Sequence, residues 1–105
     1  MPNRNYETGR RFEYKVKKHL ESKGYFVLRS AGSKSPIDLI AVNKHDGYVM
    51  MVQCKYGNKP AKAEVTKLIE MQKEMVWVDI VIAHGKPRER IQLLFLDNGH
   101  IGDAP

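Results

Sequence analysis

Four residues, Glu13, Asp38, Gln53 and Lys55, combine types and spacing that could do chemistry on a phosphate ester. Asp38 is an acid near the start of an otherwise apolar stretch, Ile37 to Val42. A buried charge is costly unless it is paired or bound to a metal. Gln53 and Lys55 stand two apart in the stretch Tyr48 to Tyr56, so on a strand they project from one face and Cys54 from the other. They interrupt an apolar run, Val49-Met50-Met51-Val52, that should enter the core. If the two stretches pair as a hairpin, Asp38 falls beside Gln53 and Lys55. A hard divalent ion such as Mg²⁺ prefers carboxylate, amide and carbonyl oxygens. Asp38, the Gln53 side-chain oxygen and the Cys54 backbone carbonyl offer three of them, and Glu13 could join through water. Such an ion polarises a phosphate and lowers the pKa of a bound water. Lys55 would orient that water or neutralise charge in the transition state. An Asp followed fifteen residues later by polar-x-Lys is also a common accident. The residues alone leave open an edge strand with a solvated Lys and a Gln capping the sheet.

The elements that must position these residues follow from periodicity. Phe12, Val16 and Leu20 recur every four residues and predict a helix over Thr8 to Lys23, stopped at Gly24. Tyr25 to Arg29 reads as a strand, Ser30 to Pro36 as a loop, and Ile37 to Val42 as a second strand. Asn43 to Gly47 makes the turn, with Asp-Gly suited to a positive φ, and Tyr48 to Tyr56 is the third strand. After a loop at 57–60, Ala61 to Met75 predicts a second helix with Val65, Leu68, Ile69 and Met75 on one side. Trp77 to Ala83 is a near-continuous apolar strand that should be buried on both faces. Gly85 to Arg88 is a turn and Ile91 to Leu96 a last strand. The expected fold is α/β (α+β): a mixed β-sheet flanked by helices, in the order α-β-β-β-α-β-β. The 105 residues suit one domain, with 1–7 and 98–105 expected to be loose.

The net charge of +6 is unevenly placed. Residues 1–35 hold nine Lys/Arg against three Asp/Glu, residues 36–70 five against four, and residues 71–105 four against five. A one-sided basic surface attracts polyanions. Basic domains with well-solvated surfaces are common, so charge alone does not decide for nucleic acid. No apolar run approaches the ~18 residues of a membrane span, and Met1 to Asn5 carries no signal core. The single cysteine, Cys54, excludes an internal disulfide and fits a reducing cytoplasm, or a host cytoplasm if the source is viral.

Four motifs stand within residues 9–83: Gly9-Arg10-Arg11-Phe12-Glu13, Arg29-Ser30-Ala31-Gly32-Ser33, Asp38-Leu39-Ile40-Ala41 and Val52-Gln53-Cys54-Lys55. Together they resemble the PD-(D/E)XK nuclease superfamily and, within it, the archaeal-type (Hjc-like) Holliday junction resolvases. The resemblance implies a restriction-endonuclease-like fold and an endonuclease that cuts branched DNA by paired nicks. It implies metal ligands at Asp38 and Gln53, a catalytic Lys55 and a functional acid at Glu13. It implies that Arg29 and Ser33 meet DNA phosphate or the active site. One departure matters: the family's usual Glu is Gln53 here. That keeps an oxygen and removes a charge, so metal affinity should fall. Some branches of the superfamily carry Gln-x-Lys, and an active enzyme using Mg²⁺, or preferring Mn²⁺, is expected. The resemblance also implies a homodimer, in accord with the two-fold symmetry of a junction that needs two opposed nicks.

The expected DNA-binding residues are Arg10, Arg11, Arg29, Ser33, Lys34 and Lys59, reading shape and phosphates rather than bases. No small-molecule organic cofactor is expected. His19, His45, His84 and His100 show no zinc spacing. Cys54 reads as a small buried hydrophobe. Met71, Met75 and Trp77 read as core, with a dimer interface as the sharper alternative. Three rivals stay open: another PD-(D/E)XK nuclease of repair or restriction type, a junction-binding module impaired by Gln53, and a plain structural domain.

Overall fold

The computed structural model describes residues 4–30, 35–57, 60–86 and 88–105, with side chains from Thr8 onward. Helix α1 (Arg4–Ser22) leads into strands β1 (Tyr25–Arg29), β2 (Leu39–Asn43) and β3 (Val49–Tyr56). Helix α2 (Lys62–Glu74) then leads into β4 (Asp79–Gly85), β5 (Gln92–Phe95) and β6 (Ile101–Gly102). The six strands form one sheet in chain order. Neighbours are antiparallel except β3 and β4, which are parallel. Parallel neighbours need a long crossover, and α2 supplies it.

The helices cover opposite faces. The Phe12, Val16 and Leu20 stripe of α1 packs on Val27, Leu39, Ala41, Met50, Val52, Val81 and Ala83. On the other face Leu68, Val65, Ile69, Met71 and Met75 meet Ile40, Met51, Ile80 and Ile82. Strand β4 runs between the layers and is buried from Ile80 to Gly85, as its continuous apolar sequence requires. Gly24, at φ +96°, ends α1, a conformation that L side chains rarely adopt. The β2–β3 turn is set by Asn43, whose Oδ1 accepts from the N–H groups of His45 (2.8 Å) and Asp46 (3.2 Å), and by Gly47 at φ +78°.

Four expectations need correction. Helix α1 starts at Arg4, four residues before Thr8, so part of the segment expected to be loose is its first turn. Strand β2 starts at Leu39 and leaves Asp38 just outside it. Trp77 is 93% exposed and is not core, because α2 ends at Glu74 and β4 starts only at Asp79, which leaves Trp77 in the turn between them. The chain end also carries a further strand, β6, paired to β5 through Leu93↔Gly102 and Leu94↔Ile101. There His19 meets Asp103 at 2.7 Å and the Tyr25 hydroxyl donates to the Pro105 carbonyl at 2.9 Å, so the tail is tied down beside α1. Long-range polar contacts of this kind leave no local pattern in a sequence.

Candidate active site

Strands β1, β3 and β4 all end at the edge of the sheet where β2 begins, and α2 starts over the same edge. Asp38 sits at that junction. Its main chain is fixed on both sides: its N–H donates to the Val52 carbonyl and its carbonyl accepts from the Ser30 N–H, each at 2.8 Å. Its Oδ2 accepts from the Cys54 N–H at 2.8 Å. In an extended strand the N–H and C=O of one residue point to the same edge, so the Cys54 carbonyl faces the gap beside Asp38. Burial raises the Asp38 pKa above the usual carboxylate value; the Cys54 N–H opposes the rise, the Glu13 charge adds to it and Arg29 opposes it. A desolvated carboxylate of this kind gains more from a nearby cation than a solvated one does.

Gln53 and Lys55 alternate with Cys54 and share the α2 face with Met51. The Lys55 ammonium lies 3.3 Å from Glu64 Oε1, with side chains 42% and 39% exposed. Gln53 Oε1 and Glu64 Oε2 are both buried and meet no hydrogen-bond donor among the described residues. His84, buried on β4, is the register partner of Lys55. Cys54 packs against the α1-side core, and burial pushes its thiol up, which keeps it protonated and inert.

Glu13 is held apart from this pair. The Arg29 Nε donates to Glu13 Oε2 at 2.9 Å, and the Arg29 guanidinium lies 5.8 Å from the centre of the Tyr14 ring. This trio lies on the α1 side of the sheet, with Val27 two positions before Arg29 in the α1-side core. The structure therefore brings Asp38 to the Cys54 main chain, sets Gln53 and Lys55 on one face, and joins Glu13 to Arg29 across the edge. It shows no direct contact from Glu13 to Gln53 or Lys55. No three His, Cys, Asp or Glu side chains among the described residues form a ready metal cluster. The fit to a hard divalent ion rests instead on a mixed set: the Asp38 carboxylate, the Cys54 carbonyl and the donorless oxygen of Gln53.

Arg10 and Arg11 are exposed on α1. Arg11, Thr8 and Lys15 border a groove whose other wall is Tyr56 and Lys86. Ser33, Lys34 and Lys59 lie outside the described residues. Sequence reasoning missed Glu64, Lys86, Phe26 and Leu28. For Glu64 the available signal was an acid in the first turn of α2, nine residues after Lys55. Phe26 and Leu28 are 55% and 53% exposed on the edge strand β1. Their alternation with buried Tyr25 and Val27 makes β1 apolar on both faces, a signal of a second covering. Phe26 is continued across the sheet by Val42 and Val49 in register.

The family model described as archaeal Holliday junction resolvase (Hjc) matches residues 4–100. Crossover junction endodeoxyribonuclease Hjc of Methanocaldococcus jannaschii is 43% identical over 68 residues, 61% of this chain and 49% of that protein. The chain thus spans about half the length of this curated relative. The solved structure of Archaeoglobus fulgidus Hjc, titled a Holliday junction resolvase from an archaeal hyperthermophile, matches with a TM-score of 0.65 at 22% identity, over 85% of this chain and 73% of that one. That likeness shows the fold, a restriction-endonuclease-like mixed sheet between helices. Among the described residues no helix is long and apolar enough to cross a membrane.

Proposed function

The chain belongs to the archaeal Holliday junction resolvase (Hjc) family, and on that premise we propose that it is a metal-dependent endonuclease that resolves four-way DNA junctions by paired symmetric nicks. The observation that carries the proposal is the grip of Asp38 on the Cys54 main chain, at the strand end that carries Gln53 and Lys55. Asp38, Gln53 and the Cys54 carbonyl would hold Mg²⁺ or Mn²⁺. When bound, such a cation would supply positive charge to the scissile phosphate and lower the pKa of a water there.

The protein's own groups do the rest. Lys55 offers its ammonium to a phosphate oxygen and neutralises charge that grows in the transition state. Glu13 holds Arg29 in place, and Arg29 meets a DNA phosphate beside the scissile one. Glu13, the functional acid that the family resemblance implies, acts on the centre through Arg29 and by its charge on Asp38, with an outer contact through water. The Arg10, Arg11, Lys15 and Lys86 surface binds the backbone in a salt-dependent way, and Ser33, Lys34 and Lys59 remain DNA contacts expected from the sequence.

Two opposed nicks need two sites, and a second copy of the chain supplies the second. The exposed Phe26 and Leu28, with the half-buried Val42 and Val49 in register beside Phe26, suit that contact, since exposed apolar patches mark interaction surfaces. Phe26→Asp with Leu28→Asp should give a monomer by sedimentation that nicks one strand at a time; a variant that stays dimeric removes this face from the account.

The test of function uses labelled four-way junction and linear duplex with Mg²⁺ or Mn²⁺. Symmetric nicks on the junction alone are expected. Junction binding without cutting in either metal would make Gln53 an inactivating change and the protein a junction-binding module. No binding at low salt overturns both.

A further inference from the structure

Resting on the metal-centre proposal above, we propose that Glu64 is a further ligand of the cation and restores the negative charge that Gln53 lacks. Gln53 Oε1 and Glu64 Oε2 are buried without a donor among the described residues. Both atoms are acceptors only, so neither can satisfy the other. A shared cation satisfies both. Lys55 occupies the other oxygen of Glu64, Oε1, at 3.3 Å, which ties the carboxylate to the catalytic strand rather than to bulk water. Gln53 stands two residues before Lys55, on the α2 face that Glu64 overlies.

Charge bookkeeping points the same way. With Gln53 as an amide, Asp38 is the one carboxylate at the start of this strand pair, and the Glu13 carboxylate is engaged by Arg29 at 2.9 Å. One carboxylate and two neutral oxygens make a weak site for a divalent ion, whose affinity follows ligand charge. Glu64 brings the count to two. Its place in the first turn of α2, where Ala61 supplies no side-chain cap, suits an acid and holds its backbone rigid. Lys55 would then bridge the cation's ligand shell and the substrate phosphate, held by the same carboxylate that binds the cation.

The test is Mn²⁺ binding to the full chain without DNA, read by electron paramagnetic resonance of free Mn²⁺, with thermal melts to check folding. Glu64→Gln keeps the size and the helix at a partly exposed position. It should weaken Mn²⁺ binding about 10-fold or more. The double variant Gln53→Glu with Glu64→Gln moves the charge back to the strand and should recover wild-type affinity. Equal affinity in wild type and Glu64→Gln overturns the proposal and leaves the metal centre standing. Loss in Glu64→Gln without recovery in the double variant also overturns it, because Glu64 then acts by something other than charge at the cation. No Mn²⁺ binding by the wild type overturns the metal centre itself.

Discussion

Gln72 and Gln53 are both partly or fully buried glutamines set against the same sheet, and their surroundings differ. Gln72, on α2, commits its whole amide to main chain. Its Nε2 donates to the carbonyls of Met75 (3.1 Å) and Val78 (2.8 Å), and its Oε1 accepts from the Ile80 N–H at 2.6 Å. It stitches the end of α2 to the start of β4. Gln53, on β3, buries its oxygen with no donor among the described residues. Buried polar atoms are nearly always satisfied, so the exception calls for a reason. The fold itself explains Gln72. The neighbours of Gln53 are Asp38 on the adjoining main chain, Lys55 two residues on, and Glu64, which pairs with Lys55. The satisfied amide serves architecture, and the donorless one is where the proposed cation would bind.

Asp38→Asn keeps the Cys54 hydrogen bond and removes the charge. It should lower junction nicking by about 10³-fold or more under single-turnover conditions. Nicking within a few-fold of wild type would remove Asp38 from the centre. Next in size is stability. Gln72→Ala takes the side-chain partner from the buried Ile80 N–H and the Val78 carbonyl, while the Met75 carbonyl keeps the Val78 N–H at 3.4 Å; it should cost about 3 kcal/mol, or roughly 10–20 °C in Tm for a domain of this size. Gln53→Ala should cost under about 1 kcal/mol, since it breaks no hydrogen bond seen among the described residues. Paired thermal melts decide this, and equal losses would erase the distinction between the two amides.

A smaller effect should follow from Gln53→Glu, which keeps nicking and lowers the half-saturating Mg²⁺ about 10-fold. A metal titration without a shift would count against Gln53 as a ligand. The smallest effect concerns pH. The folded pKa of Asp38 is raised above its unfolded value by burial. Its ionised form is therefore penalised in the fold, and the penalty is present above the folded pKa and absent below the unfolded one. Asp38→Asn should then melt higher than wild type at pH 7, with the gap closing as pH falls toward about 4. A gap that widens in acid would reverse the assigned sign.

Much of this was legible because it is local. The Phe12, Val16 and Leu20 stripe set α1, Tyr25 to Arg29 matched β1 at both ends, and Asp-Gly marked the β2–β3 turn. The order of elements up to β5 and the mixed sheet followed from periodicity, Gln53 and Lys55 stood out as polar residues within an apolar strand, and Asp38 as an acid beside one. What was not legible is long-range. Nothing near Glu13 announces that Arg29, sixteen residues on, takes its carboxylate. Nothing near Glu64 announces its pairing with Lys55 across the crossover. Trp77 was misplaced because an apolar run does not reveal where a turn inside it falls. The paired chain end was missed because β6 is two residues long, too short to carry a period.

Asp38, Gln53 and the Cys54 carbonyl are proposed to gather one divalent cation at the end of β3. Anomalous scattering from a crystal grown with Mn²⁺ tests it most directly. The expected result is a single strong peak within about 2.5 Å of those three oxygens. No peak there, or a peak at the opposite end of the sheet beside Asp46, Asp79 and Asp97, would contradict it.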